Sequence, residues 1–496
     1  MTQELKTNDE RRREAALALH RFGLGPKRNS IAEIASDPRG ALLAEIERPG
    51  VGRINNPDLL SAPAAARMAF QARAERRAQA ILAQRAQKES ERLAAAQGEM
   101  QAESMTGDLA NKAAAAKAAD TALADQGPTE IERQNFLKEV KARLDASFDA
   151  DIGFAERLVW FWSNHFCIST FTIYNMAGGY EREAIRPHIL GRFTDMLLAV
   201  EGHPAMLIYL DNNISRGGNS VSGINQTRGL NENLAREILE LHTLGVRTGY
   251  DQDDVIHFAN VLTGWTIIPI AGDPVHGIEF IFHPRMHEPG SQRVLGKFYP
   301  DTGVEQGRAV LADLARHPAT ATHVATKLAR YFTADDPPPS LVAKLKQTYL
   351  GTGGDLAEVA RTLVLAPEAW RPAPAKFKTP YEFVVSAWRA AGASPDALPK
   401  VAPVLNAMGQ KPYSAPSPKG WSEDAANWCA PDALIKRMAW SQALAAEQLG
   451  GRDPSELARD ALGARLTPPV AQAIARAETR EEGLAILLMS PEFLRR

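Results

Sequence analysis

Six side chains with acid, amide, guanidinium or imidazole chemistry, Asn231, Glu232, Arg236, Glu237, Glu240 and His242, crowd into one stretch whose apolar spacing is helical. Such a set holds a base, an anion holder and a proton carrier. Arg236 would hold an anionic group or orient a carboxylate, Glu232 or Glu237 would act as base or ligand, and His165 or His242 would carry a second proton. The catalytic candidates are therefore Glu232, Arg236, Glu237 and His242. The plainer account is electrostatic. Glu232, Arg236 and Glu240 stand four apart in one row, the spacing of an ion-pair ladder that adds about 0.3 to 0.5 kcal/mol per pair on a solvated helix face. Leu234, Ile238, Leu241 and Gly245 make a separate stripe, with Glu237 and His242 near its edges, where they can face a cleft.

No His-Glu-x-x-His zinc helix is present, because no second histidine stands four residues from His242. A metal would need ligands gathered from separate elements. His165, His203 and Asp211 are the metal candidates, with Glu232, Glu237 and His242 within the same pool, and all fall at helix ends or beside a polar loop. The sequence names no cofactor; a divalent metal is the one such a set would take. His203 also has a purely structural reading, as the cap of a helix that starts at Pro204. His283 and His287 sit together with Glu288 in a loop, but two histidines are too few ligands to argue for an ion. No Gly-x-Ser-x-Gly elbow marks a hydrolase triad.

The elements that must carry these groups read as mainly α: a large multi-helix domain with a small β-hairpin insertion and a long Ala-rich helical arm. Residues 1–61 read as N-terminal helices on the core, 62–128 as the arm, and 129–265 as a central helical core with the polar site. Residues 266–302 read as a hairpin region and 303–496 as C-terminal helices. The arm follows from Ala, Arg, Gln, Glu and Lys without a proline from Ala64 to Gly127, a composition that favours helix, with a break expected at Gly107-Asp108. Ile152 to Phe166 is apolar on nearly all sides until Ser-Asn-His, which predicts a helix central in the core that delivers Asn164 and His165 to the interior. Ile278–Phe282 and Arg293–Phe298 carry strand character and are expected to pair. The Pro-rich passage Lys411 to Trp421 is expected to cross the surface or line a cleft.

The totals are those of an ordinary globular chain: 496 residues, 45% hydrophobic and 23% charged, with a formal charge of -2 that lacks the basic footprint of a nucleic-acid binder. Cys167 and Cys429 are the only cysteines, so no disulfide framework exists, and Cys167 in its aromatic setting reads as a buried inert thiol. No run reaches the roughly 20 apolar residues of a membrane span. Met1 to Glu14 carries both signs of charge and no apolar run, so a cytoplasmic location is expected, with periplasmic delivery alongside a signal-bearing partner as the alternative.

Several unusual words occur in order along nearly the whole chain: Leu19-His-Arg-Phe-Gly-Leu-Gly25, Phe161-Trp-Ser-Asn-His-Phe166, His203-Pro-Ala-Met206, Gly229 to Gly245, Thr263-Gly-Trp265, Lys378-Thr-Pro-Tyr-Glu382 and Ser417-Pro-Lys-Gly-Trp421. In these the chain resembles a bacterial family catalogued as domain of unknown function 1800. The resemblance implies a mainly helical protein, often encoded beside a sulfatase-like family, domain of unknown function 1501, that looks like an exported metal-dependent phosphatase or sulfatase relative. A sulfatase-like partner is the expectation that follows. Two departures stand out: many relatives begin with an export signal, and the Ala-rich arm looks like a variable insertion. Two functions remain open, a buried polar or metal-binding cleft that carries out metal-assisted hydrolysis or oxidation, and a non-catalytic accessory protein whose polar cluster is structural.

Overall fold

Local signals set the helix boundaries. Thr7 and Glu10 close a reciprocal capping box on the helix Asn8–Arg21, and Thr129 with Glu132 does the same for Glu130–Asp149. His203 caps Pro204–Tyr209, its Nδ1 accepting from the Ala205 amide at 3.1 Å, with the proline in the first turn. The computed structural model describes residues 7–98, 127–173, 175–224, 229–372, 376–392, 401–448 and 452–496. The expected break at Gly107-Asp108 lies outside these residues.

The architecture is mainly α with two small antiparallel ribbons. Beyond the ribbons the chain runs through the helices Val304–Arg316, Pro318–Phe332, Pro339–Thr352, Leu356–Leu365 and Pro380–Ala391, within the helical region expected from 303 onward. A continuous apolar cluster extends from Ala15 to Leu494, and the helix Phe154–His165 lies inside it with Phe154, Leu158, Phe161 and Trp162 essentially inaccessible. The last residues return to the middle of the molecule: Lys378 N–H donates to the Leu494 carbonyl, and the Arg496 amide donates to that of Lys376. The arm begins as the helix Ala62–Gly98. Its first amide donates to Glu183 Oε1 at 2.8 Å, and Arg73 pairs with the buried Glu132 at 2.6 Å.

The ribbons correct one expectation. Phe280–Phe282 (β2) pairs with Trp265–Ile267 (β1), not with the 293–298 segment, which forms its own hairpin of Gln292–Val294 (β3) and Lys297–Tyr299 (β4). The reason is the Leu295-Gly296 step, both residues having positive φ (50° and 77°), as a two-residue primed turn requires. A segment that reads as one strand thus reverses in its middle.

Candidate functional site

A helix buried on every side cannot leave its charges bare, since an unpaired ion in an apolar interior is strongly disfavoured. The central helix carries Glu156 and Arg157, and both are paired. Glu156 accepts two bonds from Arg186 (2.7 and 3.0 Å), and Arg186 Nε also reaches Glu181 at 3.0 Å. Glu181 takes a further bond from Ser163 Oγ at 2.7 Å and faces Arg143 Nε at 3.3 Å. Burial would raise the Glu181 carboxyl, but Arg143 and Arg186 hold it below its usual value. On the opposite flank Arg157 and Arg496 both bond Glu382, which opens the helix Pro380–Ala391 in a capping box with Thr379. Against the opposing pull of burial, the two guanidiniums hold that carboxyl down at about 2.

Between these networks lies a cavity of about 90 Å³. Its walls are aromatic and polar: Trp160, Tyr331, Tyr381, Tyr413 and Trp421, with Asn164, Arg143 and Glu423 among them. The Pro-rich passage closes one side, so of its two expected placements it lines a cleft. Asn164 clamps the passage, accepting from the Trp421 amide at 2.7 Å and donating to the Trp421 carbonyl at 3.0 Å. The Cys167 thiol donates to the Ser417 and Pro418 carbonyls at 3.3 and 3.2 Å, and burial pushes it up to about 12, which makes it the inert thiol expected. Two words of the sequence that stand 250 residues apart are therefore one structural unit.

Donors without acceptors mark this wall. Trp160 Nε1 and Tyr381 Oη are buried and bond nothing, although Trp160 stands edge-on to the Tyr381 ring with centroids 4.6 Å apart. The Arg143 guanidinium lies between the Tyr381 and Tyr413 rings, 4.9 and 5.0 Å from their centroids. Tyr413 itself adopts φ 52°, a conformation that L residues rarely hold without a structural reason.

The residues expected to carry chemistry divide into two groups. Glu232 and Arg236 form the outer ladder: Arg236 pairs with Glu232 at 2.8 Å and with Glu240 at 3.6 Å, and Gln252 bridges to Glu232 at 2.8 Å, all with side chains open to solvent. Asp211 is exposed with φ 56°. The helix Asn233–Glu237 then widens into a π turn at Ile238–His242, and His242 is buried. Its Nδ1 donates to Glu201 Oε1 at 2.8 Å, a carboxylate that sequence reasoning missed. His165 lies against it, donating through Nε2 to the His242 carbonyl at 3.1 Å and accepting at Nδ1 from Lys327 at 3.0 Å. Burial, with Lys327 beside it, holds the His165 imidazole well below its usual range and hence neutral. Glu237 is half-buried and its carboxyl is raised by desolvation. His203, besides its cap, donates from Nε2 to Glu183 at 3.1 Å.

The stretches near 165 and 242 thus meet, through backbone and ring contacts, while Glu232, Arg236 and Asp211 stay on the surface. His165, His203 and Asp211 do not come together, and no group of three or more His, Cys, Asp or Glu side chains among the described residues is arranged to hold a metal ion. The cavity residues Trp160, Arg143 and Tyr381 were not among the candidates. Tyr381 and Trp421 did stand in two of the unusual words; Arg143, one of several charges along Glu130–Asp149, carried no such signal.

Fold and site together define a mainly helical protein built around a central apolar helix, with an aromatic-walled polar cavity at that helix's C-terminal half. The chain belongs to the family described as protein of unknown function, DUF1800, whose model matches residues 17–495. No curated protein and no solved structure matches it. Among the described residues no helix is long and apolar enough to cross a membrane.

Proposed function

We propose that this chain works as a binding protein whose cavity at Trp160, Arg143 and Tyr381 takes up one end of a small molecule. The observation that carries the reading is the pair of buried donors, Trp160 Nε1 and Tyr381 Oη, left without acceptors on one wall. Each unmet donor costs about 1 to 3 kcal/mol, a cost that a ligand supplying acceptors relieves. The size agrees: about 90 Å³ is less than the ~150 Å³ that encloses a benzene-sized molecule, so a terminal group enters and the rest of the ligand stays at the mouth. Metal-assisted hydrolysis or oxidation has less support, because the acids and histidines that would run it are spread between a solvated ladder and a closed interior. The test is a fragment panel of small carboxylates, amides and sugars read by ligand-observed NMR. At least one class binds the intact protein and fails to bind Ala415→Trp, which fills the cavity with an indole. A panel with no hit on the wild type refutes the reading.

A second reading, docking of a sulfatase-like partner along the arm, has its own support in the helix Ala62–Gly98, where Phe70 is 50% and Leu82 63% exposed. These two exposed apolar side chains are the ones such a partner would cover. Co-purification with that partner, abolished by Phe70→Glu with Leu82→Glu, is the expected result; unchanged co-purification removes the arm from the account.

A further inference from the structure

Resting on that reading of the cavity, we infer that the group it admits is a carboxylate, held by the Arg143 guanidinium, Trp160 Nε1 and Tyr381 Oη. The wall offers donors and few acceptors. Of the polar groups around Trp160, the Asn164 amide is consumed in both directions by Trp421, and Gln410 Oε1 takes the Tyr381 amide. Glu181 is saturated by Ser163, Arg186 and Arg143, and Glu382 by Arg157, Arg496 and the Thr379 amide. Arg143 meets Glu181 only as an ion pair, its Nε 3.3 Å from the carboxylate without a hydrogen bond. Its terminal nitrogens likewise donate to no described residue, although the residue is 9% exposed and lines the cavity. A guanidinium edge with two free donors matches the two oxygens of a carboxylate, the pairing that gives the shortest and strongest such bonds.

The surrounding charge agrees. Arg143 and Arg186 face Glu156 and Glu181, and Lys376 faces Asp335, but Arg157 and Arg496 share Glu382 alone. On that flank the guanidiniums outnumber the carboxylates by one, and Lys411 adds a further cation to the cavity lining, which also holds Glu423. A neutral amide of the same shape offers one acceptor oxygen, brings an NH2 that needs an acceptor of its own, and leaves that surplus in place. A carboxylate satisfies both.

Acetate and acetamide, nearly equal in size and different in charge, are the probes. Titrate each into the full chain at constant ionic strength and follow the Trp160 Nε1–H resonance. Acetate is expected to bind at least tenfold more tightly than acetamide. Tyr381→Phe, which keeps the ring and removes only the unpartnered hydroxyl, weakens acetate about tenfold without unfolding the protein. Arg143→Gln, which also loosens Glu181, erases the preference of acetate over acetamide, with the amide spectrum reporting that the fold is kept. Equal binding of the two probes, or an acetate preference that survives Arg143→Gln in a folded variant, overturns the carboxylate while leaving a ligand cavity. Failure of every fragment to bind overturns the cavity reading itself.

Discussion

Gly420→Ala is the sharpest probe of how the cleft is closed. Gly420 has φ 86°, and a Cβ placed there would stand 2.5 Å from the Asn164 carbonyl oxygen and 2.8 Å from Asn164 Oδ1. The first of these is backbone at the end of the buried central helix, so the passage must give way and not the helix. The left-handed conformation costs an alanine about 1 to 2 kcal/mol. The shift also strains the two Asn164 bonds to Trp421, each worth about 0.5 to 1.5 kcal/mol net. Together these make about 2 to 5 kcal/mol, released locally, because the passage from Lys411 is only partly buried and can open without disturbing the core. At 1.4 kcal/mol per tenfold, about 3 kcal/mol speeds hydrogen exchange of the Trp421 amide roughly a hundredfold. Exchange in the central helix stays unchanged, and binding at the cavity is lost. Gly218→Ala, with nothing within 4 Å of the added carbon, is the control and changes none of these. A Trp421 amide that exchanges at the wild-type rate in Gly420→Ala refutes the clamp.

Three further outcomes test other parts of the description. Cys429 is exposed whereas the Cys167 thiol is buried and pushed up to about 12, so a thiol reagent at pH 8 titrates one cysteine in the native protein and two after denaturation. Stability falls with acid in two stages. Burial keeps His20 and His165 neutral in the fold, so below about pH 6.5 the unfolded chain takes up protons that the folded one refuses. Glu382, held at about 2, then withdraws its contribution as pH drops from about 4.5 toward 2. Glu382→Gln strands Arg157 and Arg496, costs about 3 to 5 kcal/mol and makes the second stage shallower in a denaturant-unfolding series, with Glu181 and other depressed carboxyls supplying the rest; a slope as steep as the wild type's over that window sinks the assignment. Arg236→Ala changes stability by less than about 1 kcal/mol in the same assay and leaves fragment binding untouched, as befits two solvated ion pairs.

How much of each group was legible follows from what each sequence signal measures. The all-apolar run from Ile152 identified the central helix and its polar end, because a helix without a hydrophilic face has only one place to go. The cap at His203 before Pro204 was legible because it is decided within a few residues. The row of Glu232, Arg236 and Glu240 was legible too, but spacing of four residues states only that side chains share a face, and this face meets water. His242 escaped that row through a π turn, which no residue type announces, and its partner Glu201 lies 41 positions away on another helix. The cavity is the extreme case. Arg143, Trp160, Tyr381 and Trp421 come from four separate elements, and each alone reads as an ordinary amphipathic charge or core aromatic. What makes them a site is that an indole N–H, a phenol and a guanidinium end up together with too few acceptors, a property of the assembled wall and of none of its parts. The nearest sequence could come to it was the pair of unusual words, Phe161 to Phe166 and Ser417 to Trp421, whose Asn164, Gly420 and Trp421 interlock. Their composition, a small residue with free φ beside an aromatic and an amide two residues after a tryptophan, is what a loop needs to press its backbone against a helix end and hold a cleft half shut.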